Sequence, residues 1–328
     1  MPTLHVPAGS SDHLQNIADA LWKAKKVVVI TGAGISTNSG IPDFRSENGL
    51  YSMIQSQSPR SLSTLKGREL FDSSIWSDPL KTSVFYTFAT NLRQKSRDAS
   101  PTGCHHFINH LSKAGKMVRC YTQNIDLLED KVGLSTRLLL ADSGTSTPEH
   151  NKGVECVFLH GSLRALRCFQ CGCVADWDEG DRELQTMSGQ QPPCPRCEDA
   201  TVARQERGKR ALGVGKLRPD IVLYGEEHPE SHRISTIIQH DISLAPDMLI
   251  VMGTSLKVHG LKTVVREFAK TVHNRKDGKV IFVNYTKPAD SVWADVFDFW
   301  IEMDCDAWVQ DLKEKKPIMW LPPGSVEE

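Results

Sequence analysis

Apolar residues along this chain recur in two rhythms, and their alternation predicts a layered α/β protein. Runs rich in β-branched and other apolar residues occupy residues 27–30, 117–121, 154–159, 248–252, 279–283 and 299–303. Their length and apolar content suit buried strands. Between them, apolar residues fall three and four apart, as on one face of a helix. Leu14, Ile17, Ala18, Leu21 and Trp22 follow Asp12, a candidate cap, and end at Lys23, Lys25 and Lys26. A stronger helix runs from Asp78 with Leu80, Val84, Phe88 and Leu92 on one face. Pro101 opens another with Phe107, Ile108 and Leu111; Ile234, Ile237 and Ile238 mark a further one, and Trp308, Val309 and Leu312 a closing one. Strand and helix in alternation predict a doubly wound parallel sheet. Residues 1–10 and the end from Pro317 are expected to be loose. Residues 46–77 read as short helices beside a cleft, and the polar stretch 135–153 as an exposed loop.

The chemistry lies where the runs end, which is where open α/β sheets bind ligands. Gly32-Ala33-Gly34 follows the first run. Glycines there permit a sharp turn whose N–H groups suit a diphosphate. The dinucleotide fingerprint is not met, because position 37 is Thr. Past Pro42 stand Asp43, Phe44 and Arg45: an acid to bind an amide, a ring to cover a ring, a guanidinium for phosphate. Gln123-Asn124-Ile125-Asp126 ends the second run, where Asp126 could instead cap a short helix. His160-Gly161 ends the third; a lone histidine is more often structural than catalytic, but this one shares the strand-end position of the other candidates. His105, His106 and His110 share one helix, yet no acidic partner accompanies them, so they read as core or surface residues.

Composition narrows the class. The chain has 328 residues and a net charge of −1, which gives no bulk attraction to nucleic acid. No apolar run is long enough to span a membrane, and no secretory signal opens the sequence. Nine cysteines include Cys168-x-x-Cys171 and Cys194-x-x-Cys197, separated by 22 residues. Two such knuckles place four thiolates around Zn²⁺, a closed and therefore structural site, in a reducing compartment. Cys173 is left over. The basic segment 204–218, with Arg204, Arg207, Lys209, Arg210, Lys216 and Arg218, reads as a solvated loop rather than a partner surface.

Gly32-Ala33-Gly34-Ile35-Ser36 followed by Gly40-Ile41-Pro42-Asp43-Phe44-Arg45 resembles the signature of the sirtuins, NAD-dependent protein-lysine deacylases. Further motifs follow in family order, and the resemblance covers about residues 25–310. It implies a Rossmann-like NAD-binding domain of residues 1–161 and 218–328, with a zinc-ribbon module, 162–217, inserted. It puts the NAD diphosphate over Gly32, Ala33, Gly34 and Arg45, with Ser36, Ile41, Phe44 and Tyr51 beside it and Asp43 on the nicotinamide carboxamide. Gln123, Asn124, Ile125 and Asp126 join that pocket. Gly253, Thr254, Ser255, Asn284, Tyr285 and Cys305 are implied for the adenosine end. The acetyl-lysine would lie between Val222, Tyr224, Gly225 and Glu226 on one side and Val258 on the other. His160 becomes the base that takes a proton from a ribose hydroxyl, with Asn124 as its catalytic companion. The products implied are free lysine, nicotinamide and O-acetyl-ADP-ribose. Leu127, Tyr224, His259 and Met303 depart from the family pattern, where Gly, Phe, Pro and Gly are usual.

Glu47-Asn48-Gly49-Leu50-Tyr51 and the long loop before His160 look most like a fungal nuclear branch that deacetylates histone H3. That likeness implies a nuclear protein with an acetylated histone as partner. ADP-ribosyl transfer and removal of longer acyl groups are the alternatives within the family. An oxidoreductase would share the fold but needs a hydride acceptor. A zinc deaminase needs His-x-Glu before Pro-Cys-x-x-Cys, whereas His228-Pro229-Glu230 comes after Pro193-Cys194. A zinc-ribbon adaptor has no need of Asp43, Asn124 and His160 on separate loops.

Overall fold

The computed structural model describes residues 3–43, 67–138 and 153–321. Ten strands run in chain order: β1 Leu4–Pro7, β2 Val27–Thr31, β3 Met117–Thr122, β4 Cys156–Phe158, β5 Gly161–Cys168, β6 Val174–Asp176, β7 Leu217–Ile221, β8 Met248–Met252, β9 Lys279–Val283 and β10 Phe299–Glu302. Seven of them form one sheet in the order β1-β10-β9-β8-β2-β3-β4. Every pairing in it is parallel.

Both faces of this sheet are covered, and the alternation of side chains shows how. Val27 and Val29 of β2 point into one core with Met248, Ile250 and Met252 of β8. Helices Ser11–Lys23, Gly103–Lys113 and Cys305–Lys315 close that core with Leu14, Phe107, Ile108 and Trp308. Val28 and Ile30 point the other way, joining Leu249 and Val251 under Val265 and Phe268 of helix His259–His273. With both sides buried, a polar residue inside β2 or β8 would be stranded, hence the apolar runs 27–30 and 248–252; the one polar residue, Thr31, ends β2 at the ligand edge. From β2 the chain builds outward through β3 to β4, then returns to the other side of β2 for β8, β9 and β10. The strand order therefore reverses between β2 and β8, and a ligand crevice opens at their carboxyl ends.

The remaining strands form a small antiparallel sheet, β6-β5-β7. It keeps the chain as far as Ile221 before the return to the large sheet. Helix Pro79–Asp98 packs on it, and Tyr86 donates its hydroxyl to the Leu217 carbonyl. Asp78 starts this helix by accepting from the N–H groups of Leu80 and Lys81.

Several local expectations change. The first residues are not loose: β1 pairs in register with β10, and Val6 is fully buried. The stretch Pro317–Trp320 is ordered as a 3₁₀ turn, its Met319 buried and its Trp320 stacked on His110. The first helix begins at Ser11, so Asp12 sits inside its first turn. Helix Pro79–Asp98 buries Phe85, Tyr86, Ala89 and Leu92, whereas Leu80 is exposed and Val84 and Phe88 only edge the core. The small sheet and the 3₁₀ turn Ser73–Ser77 hold it from one side, a choice its own spacing does not fix. Among residues 46–77, the described part forms two 3₁₀ turns, Gly67–Phe71 and Ser73–Ser77; the remainder, and most of 135–153, lie outside the described residues.

Candidate active site

Two glycine turns interlock at the reversal point. The Gly32 N–H donates to Met252 O at 3.1 Å, and the Gly34 N–H to Gly253 O at 2.8 Å. A Cβ on Gly34 would stand 2.7 Å from Gly253 Cα, and one on Gly32 2.7 Å from Gly253 O. Gly253 itself has φ +64°, a left-handed conformation that favours glycine. Backbones this close leave a cradle, which Ala33–Ile35 closes as a 3₁₀ turn. Exposed N–H groups on such a turn suit an anionic ligand.

The end of β3 ties into the same place. Gln123 Nε2 donates to Thr31 O at 3.0 Å and to Thr254 Oγ1 at 2.8 Å, so this amide braces β2, β3 and β8 together. Asn124 is buried; its Nδ2 donates to Ser36 Oγ at 3.1 Å. Its Oδ1 is buried with no partner among the described residues, as expected of an acceptor reserved for a ligand. Asp126 is buried too and accepts from the Leu128 N–H at 3.1 Å, the capping role foreseen as its alternative. Burial raises its carboxyl, while the neighbouring Ser36 hydroxyl opposes the shift.

His160 stands beside this loop, half-buried, with Nδ1 3.0 Å from Gln123 O. A carbonyl only accepts, so the neutral imidazole carries its proton on Nδ1 and presents an unprotonated Nε2. The next residues cross from His160 to the small sheet, and the Val222 N–H returns to donate to His160 O at 2.9 Å. Tyr224 joins the 67–77 segment through Phe71 O and the Ser73 N–H. Gly225 has φ +87°, and its missing Cβ leaves room for Ser73 Oγ. Glu226 is committed elsewhere: its carboxylate accepts from Arg218, from Trp76 Nε1 at 2.9 Å and from the Leu223 N–H at 3.0 Å. Its side chain braces the loop that carries Val222 and Tyr224. Val258 stands at the N-cap position of helix His259–His273.

The other candidates follow the sheet edge. Ser255 is exposed just past Gly253 and Thr254. Asn284 ends β9, its N–H bonded to Ile301 O and its carbonyl held by Trp300 Nε1 at 2.8 Å. Tyr285 beside it is exposed, and Cys305 is buried beneath. Ile41 is buried and Asp43 half-buried; Phe44, Arg45 and Tyr51 lie outside the described residues.

The four thiols of Cys168, Cys171, Cys194 and Cys197 converge within 4.8 Å of one another. Two Sγ···Sγ edges measure 3.8 and 3.6 Å, close to the edge of a tetrahedron with Zn–S of about 2.3 Å. The Gln170 N–H donates to Cys168 Sγ, and a Cβ on Gly215 would lie 2.6 Å from the same sulfur. This donor set fits one zinc ion with no position left for water. Cys173 points away, toward Val174 O.

Glu129 was not singled out by the sequence, and His105, read there as a core or surface residue without an acidic partner, is a core residue that has two acids beside it. Glu129 and His105 are fully buried and, with Asp126, their ligating atoms lie within 4.8 Å of one another. The spacing Thr102-x-x-His105 was the available signal: the two residues form a reciprocal cap at the start of helix Gly103–Lys113.

Comparison with known proteins agrees with this geometry. The chain is 42% identical over 322 residues to the NAD-dependent histone deacetylase HST3 of Candida albicans, covering 96% of this chain and 65% of that protein. It is 43% identical over 310 residues to the protein of that name from Saccharomyces cerevisiae, covering 93% and 68%. The chain thus spans about two thirds of the length of these relatives. A Sir2 homologue solved with NAD has the same fold, with a TM-score of 0.66 at 20% identity, covering 97% of this chain and 98% of that one. The Sir2 family model matches residues 32–260, which take in both glycine turns, His160 and all four zinc-site thiols, and the chain belongs to that family.

Proposed function

We propose that this protein is an NAD-dependent protein-lysine deacetylase that acts on a histone, with histone H3 in the nucleus as its setting. The observation that carries the reading is the fixing of His160 between the ligand loop and the substrate loop. Its Nδ1 bonds Gln123 O, which sets the tautomer whose Nε2 moves the proton, and its backbone carbonyl holds Val222. NAD, when bound, supplies a ribose carbon from which nicotinamide departs. The chain's part is to bind and orient. The interlocked turns at Gly32–Gly34 and Gly253–Ser255 shape a cradle for the diphosphate, and the buried, unpartnered Asn124 Oδ1 is reserved as an acceptor. Asp43, at its rim, takes the carboxamide. An acetyl-lysine strand lies along Val222–Gly225, opposite Val258. His160 Nε2 takes a proton from a hydroxyl brought beside it, the ordinary work of a general base. The zinc holds the small sheet and touches no reacting atom. The names of the relatives support the histone, since both are called histone deacetylases.

The test is His160→Ala, assayed with an acetyl-H3 peptide. Deacetylation should fall about 10²–10⁴-fold, as for loss of a general base. NAD affinity should change far less, because the turns and Asn124 are untouched. Retention of most activity overturns the assignment. Joint loss of activity, NAD binding and fold assigns His160 a structural place instead.

A further inference from the structure

Beneath Asn124 lies a buried cluster that the chemistry above does not use. Glu129 and His105 are wholly inaccessible, and Asp126 nearly so. One ligating atom of each lies within 4.8 Å of the other two. Both Glu129 carboxyl oxygens and His105 Nε2 are buried with no hydrogen-bond partner among the described residues. Two adjacent carboxyl groups in such a place cannot both be charged, so one of them must hold a proton.

The partners decide where that proton sits. The Leu128 N–H and the Ser36 hydroxyl favour the Asp126 anion. Ser36 Oγ already accepts from Asn124 Nδ2, so its own hydrogen is free for Asp126. Around Glu129 the nearby Thr122 hydroxyl and a backbone N–H favour the anion, but burial outweighs them and, with the Asp126 charge, pushes its carboxyl up to about 8. His105 accepts the Thr102 N–H at Nδ1, which leaves its own proton on Nε2, toward the acids. Burial lowers its pKa to about 4, so it stays neutral.

We propose that Glu129 is a positioning residue: as the neutral acid it leaves Asp126 the single anion of the buried site, and that anion fixes Ser36 and, through it, the Asn124 carboxamide. Glu129 acts on Asp126 through space, within 4.8 Å, and the contacts then run from Asp126 to Ser36 and from Ser36 to Asn124. The Asn124 Nδ2 bond to Ser36 leaves Oδ1 as the acceptor for the ligand. Other groups facing the cluster leave the proton where it is. The Asp130 carboxylate is paired with Arg164 and Thr136. Lys131 gives its ammonium to the carbonyls of Ser96, Arg97 and Ala99. The Cys156 thiol, beside Cys120, is pushed up and stays neutral. Asp306, the anion acting on His105 from its helix start, accepts from the Cys104 N–H and Asn38. When Glu129 loses its proton, two anions share one buried site and the Asn124 setting is disturbed.

The inference rests on Asn124 belonging to the NAD pocket, so the experiment separates the two. The ratio of kcat/KM for nicotinamide release at pH 9 to that at pH 7 is measured for wild type and for Glu129→Gln, an isostere of the neutral acid. Wild type should fall about tenfold over that interval, as for a group with a pKa near 8; in E129Q the ratio should stay near one. An equal fall in both proteins overturns the proposal. Infrared difference spectra of the wild-type chain give a second reading that needs neither turnover nor a folded variant. A buried carboxylic-acid band present at pH 7 should be lost by pH 9. Its absence at pH 7 overturns the proposal, whereas an enzyme that keeps the band but never releases nicotinamide refutes the proposed function alone.

Discussion

Replacing Gly253 with alanine tests whether contact between the two turns shapes the site. The perturbation has two parts that a second glycine separates. Gly253 (φ +64°) and Gly115 (φ +68°) share a left-handed backbone, so an L side chain is strained equally at either. That strain costs about 1–2 kcal/mol. They differ in space. A Cβ at Gly115 meets nothing within 4 Å, whereas one at Gly253 would stand 2.7 Å from Ile35 N, 2.9 Å from Gly34 C and 3.0 Å from Gly34 Cα. All three are backbone atoms and cannot rotate aside. Forcing extra volume into packed structure adds about 1–3 kcal/mol. Gly253→Ala should therefore lose about 2–5 kcal/mol in urea unfolding, and Gly115→Ala only the first part. The same displacement moves the 3₁₀ turn Ala33–Ile35, so calorimetric NAD affinity should fall at least about tenfold, or 1.4 kcal/mol. In Gly115→Ala, just before the amino end of β3 and so at the opposite edge of the sheet from the site, affinity should hold. Equal stabilities in the two variants, with NAD binding intact in both, would refute the argument that these backbones define the pocket by contact.

Two further outcomes follow from buried groups. Cys168→Ala should lose zinc by metal analysis and unfold the small sheet in the same step, because structural zinc contributes folding energy outright, about 10–16 kcal/mol in small peptides; full metal content in the variant refutes the four-thiol site. Glu129 also makes stability depend on pH: its ordinary value of 4.5 rises to about 8 in the fold, so the native state holds a proton that the unfolded chain releases. The contribution is fully present below pH 4.5 and is lost as pH rises through about 8, with a ceiling near roughly 5 kcal/mol. Denaturant unfolding of wild type against Glu129→Gln between pH 5 and 9 should show the two curves diverging in that direction, and parallel curves refute it.

Some of this was legible because its cause is local. Residues 27–30 and 248–252 are apolar throughout since both faces of β2 and β8 are covered. The Cys-x-x-Cys pairs carry their metal geometry in their spacing, and glycines at 32 and 34 mark a turn before anything is known of its neighbour. What was not legible depends on distant partners. Leu4–Pro7 becomes a strand only because β10 offers an open edge to it. Pro317–Trp320 is held by His110, two hundred residues earlier, through Met319 O and ring stacking. The face of helix Pro79–Asp98 is chosen by β7 and the Ser73–Ser77 turn, so Phe85 and Tyr86 go in and Leu80 stays out.

Leu127 shows how the two kinds of cause meet. In the sequence it is a departure, a leucine where the family pattern has glycine. In the structure it has φ +67°, a left-handed backbone that costs a leucine about 1–2 kcal/mol. Its neighbours explain why the chain accepts this. Asp126 caps the Leu128 N–H on one side, and Leu128 and Glu129 are fully buried on the other. The Asp126–Leu128 bond closes over Leu127, and the burial of Leu128 and Glu129 holds its far side, so the backbone between them is confined. The conformation that glycine would adopt freely is here imposed by the same buried acids that set Asn124. Substituting Leu127 would leave that imposition in place, whereas removing Asp126 or Glu129 would release both the turn and the carboxamide it delivers to the pocket.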